Sequence, residues 1–116
     1  MTVSHKRKRA KIGTYDRGGS GGRTDPGFVQ QSSSASDGRY WCALMNPTGH
    51  EFSPGMSEEH VIDVLACFGP RVPITEDGAF EVEGVEYYVR AILPRENGHD
   101  DLQVLGQRAE RTLVWR

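Results

Sequence analysis

Ser57-Glu58-Glu59-His60-Val61-Ile62-Asp63-Val64-Leu65-Ala66-Cys67-Phe68 is the stretch on which the fold class turns. Ser57 can accept from the orphan amides of a first helical turn, and Glu58 and Glu59 sit where a helix dipole is positive. Val61, Val64, Leu65 and Phe68 fall at i, i+3, i+4 and i+7, the spacing of one apolar helical stripe, and Gly69-Pro70 ends it. Burying those four side chains offers about 6–12 kcal/mol of gross transfer free energy. The spacing predicts a helix that anchors a small core.

Upstream, Arg39-Tyr40-Trp41-Cys42-Ala43-Leu44-Met45 is a short aromatic and apolar run ending at the turn-forming Asn46-Pro47-Thr48-Gly49, which predicts a strand. Downstream, Ala79 to Leu93 alternates on both sides of Glu83-Gly84. That pattern predicts a β-hairpin in which Gly84 supplies one of the positive φ angles a tight turn needs. Beyond it, Leu102, Leu105, Ala109, Thr112 and Leu113 suit a helix capped by Asp100 or Asp101. Gln103–Gly106 and Arg111–Trp115 suit two further strands, and the capping residue favours the helix although Gly106 opposes it. The expected class is therefore α+β: strand, helix, β-hairpin, then a C-terminal helix or strand pair.

Charge separates this body from what precedes it. The chain of 116 residues has a formal charge of −2, but residues 1–36 carry seven cations against two acids, +5, and residues 37–116 carry seven arginines against fourteen acids, −7. Residues 1–36 are rich in Gly and Ser, and their few sizeable apolar side chains are scattered. Such a composition does not offset about 1–2 kcal/mol of backbone ordering per residue, so it predicts a disordered basic arm with a reach of about 30–35 Å. The arm also accounts for an apolar content of 36%, low for a globular chain. The domain boundaries expected are thus 1–36 for the arm and 37–116 for a compact acidic domain. No run of about 18 apolar residues predicts a membrane span, and no apolar segment follows the basic start as in a secretory signal. Two cysteines, Cys42 and Cys67, are too few for a disulfide framework.

Lys6, Arg7, Lys8, Arg9 and Lys11 place five cations within six residues, resembling a short nuclear localisation signal that lies extended in an acidic import-receptor groove. The plainer reading is a solvated charge run, and the same cations can hold phosphates of RNA or DNA. Arg17-Gly18-Gly19-Ser20-Gly21-Gly22-Arg23 resembles one unit of an arginine-glycine-glycine segment, which makes Arg17 and Arg23 secondary nucleic-acid contacts, or a plain linker. Its G-x-S-x-G spacing lacks the strand and helix that a hydrolase nucleophile elbow requires.

Cys42, His50, His60 and Cys67 lack the close pairs that seed zinc sites, so no metal or other cofactor is expected. His50 with Glu51, and His60 with Asp63, are acid–base pairs without a nucleophile, and no catalytic role is assigned. Glu81, Glu83 and Glu86 should line the outer face of the hairpin as a negative surface that repels phosphate, with Phe80, Val82, Val85 and Tyr87 facing inward.

These features predict a small non-enzymatic protein directed to the nucleus. Its arm binds an import receptor or nucleic acid, and its body mediates protein contact or homo-oligomerisation. The layout resembles, in a general way, that of small viral accessory, matrix or coat proteins. The alternatives are an inhibitor or adaptor whose arm is only a tether, and a small zinc-binding module.

Overall fold

Seven strands account for the regular structure of the computed structural model, which describes residues 6–18, 26–46 and 62–116. They are β1 (Lys8–Asp16), β2 (Gly27–Gln30), β3 (Tyr40–Met45), β4 (Val64–Phe68), β5 (Ala79–Val82), β6 (Val85–Ile92) and β7 (Leu102–Arg108). The sheet runs β2-β1-β3-β4-β7-β6-β5, and β5 pairs back onto β1. Six strands thereby close an all-antiparallel barrel in the order β1-β3-β4-β7-β6-β5, with β2 attached to β1 outside the ring. Closure removes the open edges that make a sheet prone to unwanted pairing.

The class is all-β, which corrects the α+β expectation: no helix occurs among the described residues. Val64 to Phe68, the C-terminal part of the expected helix, is β4, and Ser57 to Val61 lie outside the described residues. All five β4 residues are buried, Val64, Ala66 and Phe68 into the barrel and Leu65 and Cys67 on the opposite side. A strand buried on both faces loses its alternation and becomes a continuous apolar run, which short helical spacing matches equally well. Pairing on both flanks, to Cys42–Met45 and to Leu102–Gly106, decides in favour of the strand.

The expected C-terminal helix is corrected in the same way, since Leu102–Arg108 is β7. Gly106, unfavourable in a helix, is required here. A Cβ on it would stand 2.8 Å from Phe80 Cζ and 3.0 Å from Val64 Cγ1, so the missing side chain makes room for the ring. The expected strand at Arg39–Met45 and the hairpin are present as β3 and as β5–β6. Glu83 (φ 54°) and Gly84 (φ 83°) both take the positive φ of the tight primed turn that matches strand twist.

The largest revision concerns the N-terminus. Residues 8–16 are not a disordered arm but a wall of the barrel: Lys8–Ala10 pair with β3, Ala10–Gly13 with β5 and Gly13–Asp16 with β2. Ala10 and Ile12 are completely buried. Counting large apolar residues misjudged this segment, because a strand supplies its stabilising hydrogen bonds from the backbone, and its barrel partners β3 and β5 lie about 30 and 70 residues away.

Ala10, Ile12, Cys42, Val64, Ala66, Phe68, Phe80, Val82, Val89, Leu102 and Val104 fill the barrel. Phe68 of β4 meets Phe80 of β5, on the opposite side of the ring, edge to face at 5.6 Å between centroids, and Tyr87 stacks on Phe80 at 5.1 Å. The interior is therefore a packed core and not a ligand chamber.

Candidate functional site

Period-two alternation divides the basic run between two faces of β1. Ala10 and Ile12 point inward, and Arg9 and Lys11 point outward. The Arg9 guanidinium lies 4.4 Å from the Trp41 ring centre and donates to both carboxylate oxygens of Asp37, at 2.7 and 3.1 Å. That pairing, reinforced by the Arg39 amide, holds the Asp37 carboxyl down at about 2. Lys11 Nζ lies 4.0 Å from the Trp115 ring centre. The two tryptophans of the chain thus each receive one cation of the run.

Lys8 donates to Glu83 at 2.5 Å, which raises its pKa, and Lys6 pairs with the buried Asp101 at 2.7 Å. Arg7 is exposed, Arg17 is exposed beyond the end of β1, and Arg23 lies outside the described residues. The structure brings Lys8, Arg9 and Lys11 together on one strand, each against a partner on the folded body.

The expected negative face of the hairpin is also internally engaged. Glu81 accepts from Arg39 Nη1 at 2.6 Å and from the Gly84 amide, and Glu83 takes Lys8. Glu86 accepts from the Leu113 amide at 2.9 Å and from Trp115 Nε1. Phe80 and Val82 face inward as expected, Tyr87 packs against the core while partly exposed, and Val85 is partly exposed beside the turn.

His50, Glu51 and His60 lie outside the described residues. Cys42 and Cys67 are buried thiols on opposite faces of neighbouring strands; desolvation pushes the Cys42 thiol up to about 11. Among the described residues no three His, Cys, Asp or Glu side chains gather as a metal site. Asp63 caps the end of β7 instead, accepting from the Arg108 amide at 2.7 Å.

What leaves the barrel is a small β-flap. Thr14, Tyr15 and Asp16 extend past the last β5 pairing at Gly13 and bond to β2 alone. The C-terminal segment adds a further ply on the other flank of β2: Phe28 N donates to Val114 O, and Arg116 N donates to Phe28 O, both at 2.7 Å. Tyr15, Phe28, Trp115 and Tyr88 form a connected set of ring contacts, with Phe28 at its centre. Gly13 permits it, because a Cβ there would stand 2.5 Å from Trp115 Cζ3. Tyr15 (45% exposed) and Val114 (59%) lie on the flap, and Trp41 (54%) lies on the neighbouring barrel wall.

No family model matches this chain, and no curated protein matches its sequence. No helix among the described residues is long and apolar enough to cross a membrane.

Sequence reasoning missed Asp37, Arg39, Asp101, Trp41 and Trp115 as partners of the basic run. One short signal was present: Arg9 and Lys11 alternate with Ala10 and Ile12, the period of two of a strand with one face buried.

Proposed function

We propose that this chain is a non-enzymatic structural or adaptor subunit that works through protein–protein contact, including contact between its own copies. The observation that carries this reading is the β-flap. The barrel closes its own edges, yet β1 beyond Gly13 and the C-terminal segment beside β2 carry backbone edges with no further strand among the described residues. Strand edges recruit partner strands, and exposed Tyr15, Val114 and Trp41 add apolar contact area beside them. The filled barrel supports the same reading, since it offers no enclosed chamber for a small substrate.

Sedimentation velocity across a concentration series tests it, with Tyr15→Lys and Val114→Lys as variants. Concentration-dependent association that either variant weakens, with unchanged thermal stability, is the expected result. A chain that stays monomeric at high concentration and binds no partner through the flap would sink the proposal.

Import-receptor binding by Lys6, Arg7, Lys8, Arg9 and Lys11 is a second proposal, supported by the exposure of Arg7 at the start of the described chain. It requires Lys6, Lys8 and Arg9 to exchange Asp101, Glu83 and Asp37 for receptor acids. Alanine replacement of the five residues in a fusion too large to diffuse through nuclear pores tests it, and unchanged nuclear accumulation would rule it out.

A further inference from the structure

We infer that the outer face of β6 and β7, around Arg90 and Arg111, binds the phosphodiester backbone of single-stranded nucleic acid. Tyr88, Arg90, Gln107, Arg108, Glu110 and Arg111 line one open cleft of about 380 Å³ on the barrel wall. Three arginines line it against Glu110; the Asp63 carboxylate lies on the Arg108 amide, and Glu86 lines the adjoining hollow, where the Leu113 amide and Trp115 occupy it. This is a different surface from the N-terminal basic run, and it shares only Tyr15 with the assembly reading.

Arg90 is built into place. Its Nε donates to Gln107 Oε1 at 2.6 Å, and its guanidinium carbon lies 5.1 Å from the Tyr88 ring centre. Val89 and Ala91 flank a break in the β6–β7 register, so Arg90 sits on a bulge, a device that re-aims a side chain. Packing on one face and a bond to Nε fix the plane of the group, leaving its two terminal nitrogens as a preoriented donor fork, the geometry that matches phosphate oxygens. Among the described residues, neither Arg108 nor Arg111 forms a side-chain ion pair, and both are exposed. The cations of β1, by contrast, are held by Asp37, Glu83 and Asp101.

Tyr88 joins the cleft to the ring contacts of the flap. Tyr88 touches Phe28 at 6.4 Å between centroids, and Phe28 touches Tyr15, whose ring is 45% exposed with Arg17 two residues on. Cations followed by an accessible aromatic ring are the elements of a sequence-tolerant single-strand track, with phosphates held by arginine and a base stacked on tyrosine. A flexible single strand can follow the convex barrel wall, whereas a rigid duplex would meet it only along a short line.

Fluorescence anisotropy of a labelled single-stranded oligonucleotide titrated with the full chain tests this. Binding at low salt should weaken linearly on a log–log salt scale, with a slope of about −0.7 per phosphate contact. Arg90→Gln/Arg111→Gln should lower affinity at least about tenfold and reduce the slope by about 1.4, with the melting temperature kept. Glu110→Gln should tighten binding, a gain that a structural role would not produce. Arg71→Gln, an exposed arginine elsewhere on the surface, should leave affinity within about twofold. Absence of binding at low salt, or an unchanged slope in the double variant, would overturn the inference. So would an equal loss in Arg71→Gln, tighter binding of a duplex, equal binding of a polyglutamate of matched charge, or inorganic phosphate alone binding as tightly as the oligonucleotide.

Discussion

Phe80 and Gly106 should behave as one unit, and a double-mutant cycle between them tests the barrel core directly. Phe80 is fully buried, meets Phe68 edge to face and stacks on Tyr87, while a Cβ at Gly106 would stand 2.8 Å from its Cζ. Gly106→Ala alone forces ring and strand apart, an overpacking that costs about 1–3 kcal/mol. Phe80→Leu alone empties the ring tip and forfeits two aromatic contacts, about 0.5–1.5 kcal/mol each beyond the lost area. Combined, the new methyl enters the space the ring vacated, so the double variant should be more stable than the sum by about 1 kcal/mol or more. Part of the Gly106→Ala cost remains, because Val64 Cγ1 lies 3.0 Å from the same Cβ. Urea unfolding followed by the fluorescence of Trp41 and Trp115 measures all four corners, provided the slopes with denaturant agree. Additivity within about 0.5 kcal/mol would refute the placement of Phe80 against Gly106 and, with it, this account of the barrel centre.

Deleting residues 1–16 removes β1 and opens the barrel, so circular dichroism should show loss of the cooperative thermal transition; a truncated chain that melts like the full one would restore the arm reading. Asp37, held at about 2 against an ordinary 3.8, favours the folded state above pH 3.8. That contribution should disappear as pH falls from 3.8 through 2, and Asp37→Asn should flatten this limb of an acid titration. Cys42 and Cys67 are buried, and the Cys42 thiol sits at about 11, so alkylation at pH 8 should proceed only through unfolding and be accelerated by urea; prompt labelling of either thiol in the native chain would contradict their burial. Raised from an ordinary 9.0, Cys42 also predicts stability lost as pH climbs from 9 towards 11, a loss that Cys42→Ala should reduce in alkaline melts.

Local chemistry was legible where local chemistry governs. Glu83-Gly84 reads as a hairpin turn because positive φ is a property of those two residues, and Tyr40–Met45 reads as a strand because aromatic and apolar residues fit a pleated wall. Val64–Phe68 was not legible as a strand, since burial on both faces erased the period that distinguishes strand from helix. Arg90, Gln107 and Arg111 were equally hidden, because a bulge and cross-strand pairing bring together residues far apart in the chain.

The N-terminal run shows the division most clearly. By itself the sequence determined that five cations cluster at residues 6–11, that the remainder is acidic, and that the two would attract one another. Only the tertiary structure decided that the attraction is satisfied within the chain, through Lys6 on Asp101, Lys8 on Glu83 and Arg9 on Asp37. The physical reason is that closing a barrel is a non-local act. The backbone of β1 is ordered by β3 and β5, which follow it by about 30 and 70 residues, and their pairing sets which cations face a carboxylate, which face a tryptophan and which remain in solvent.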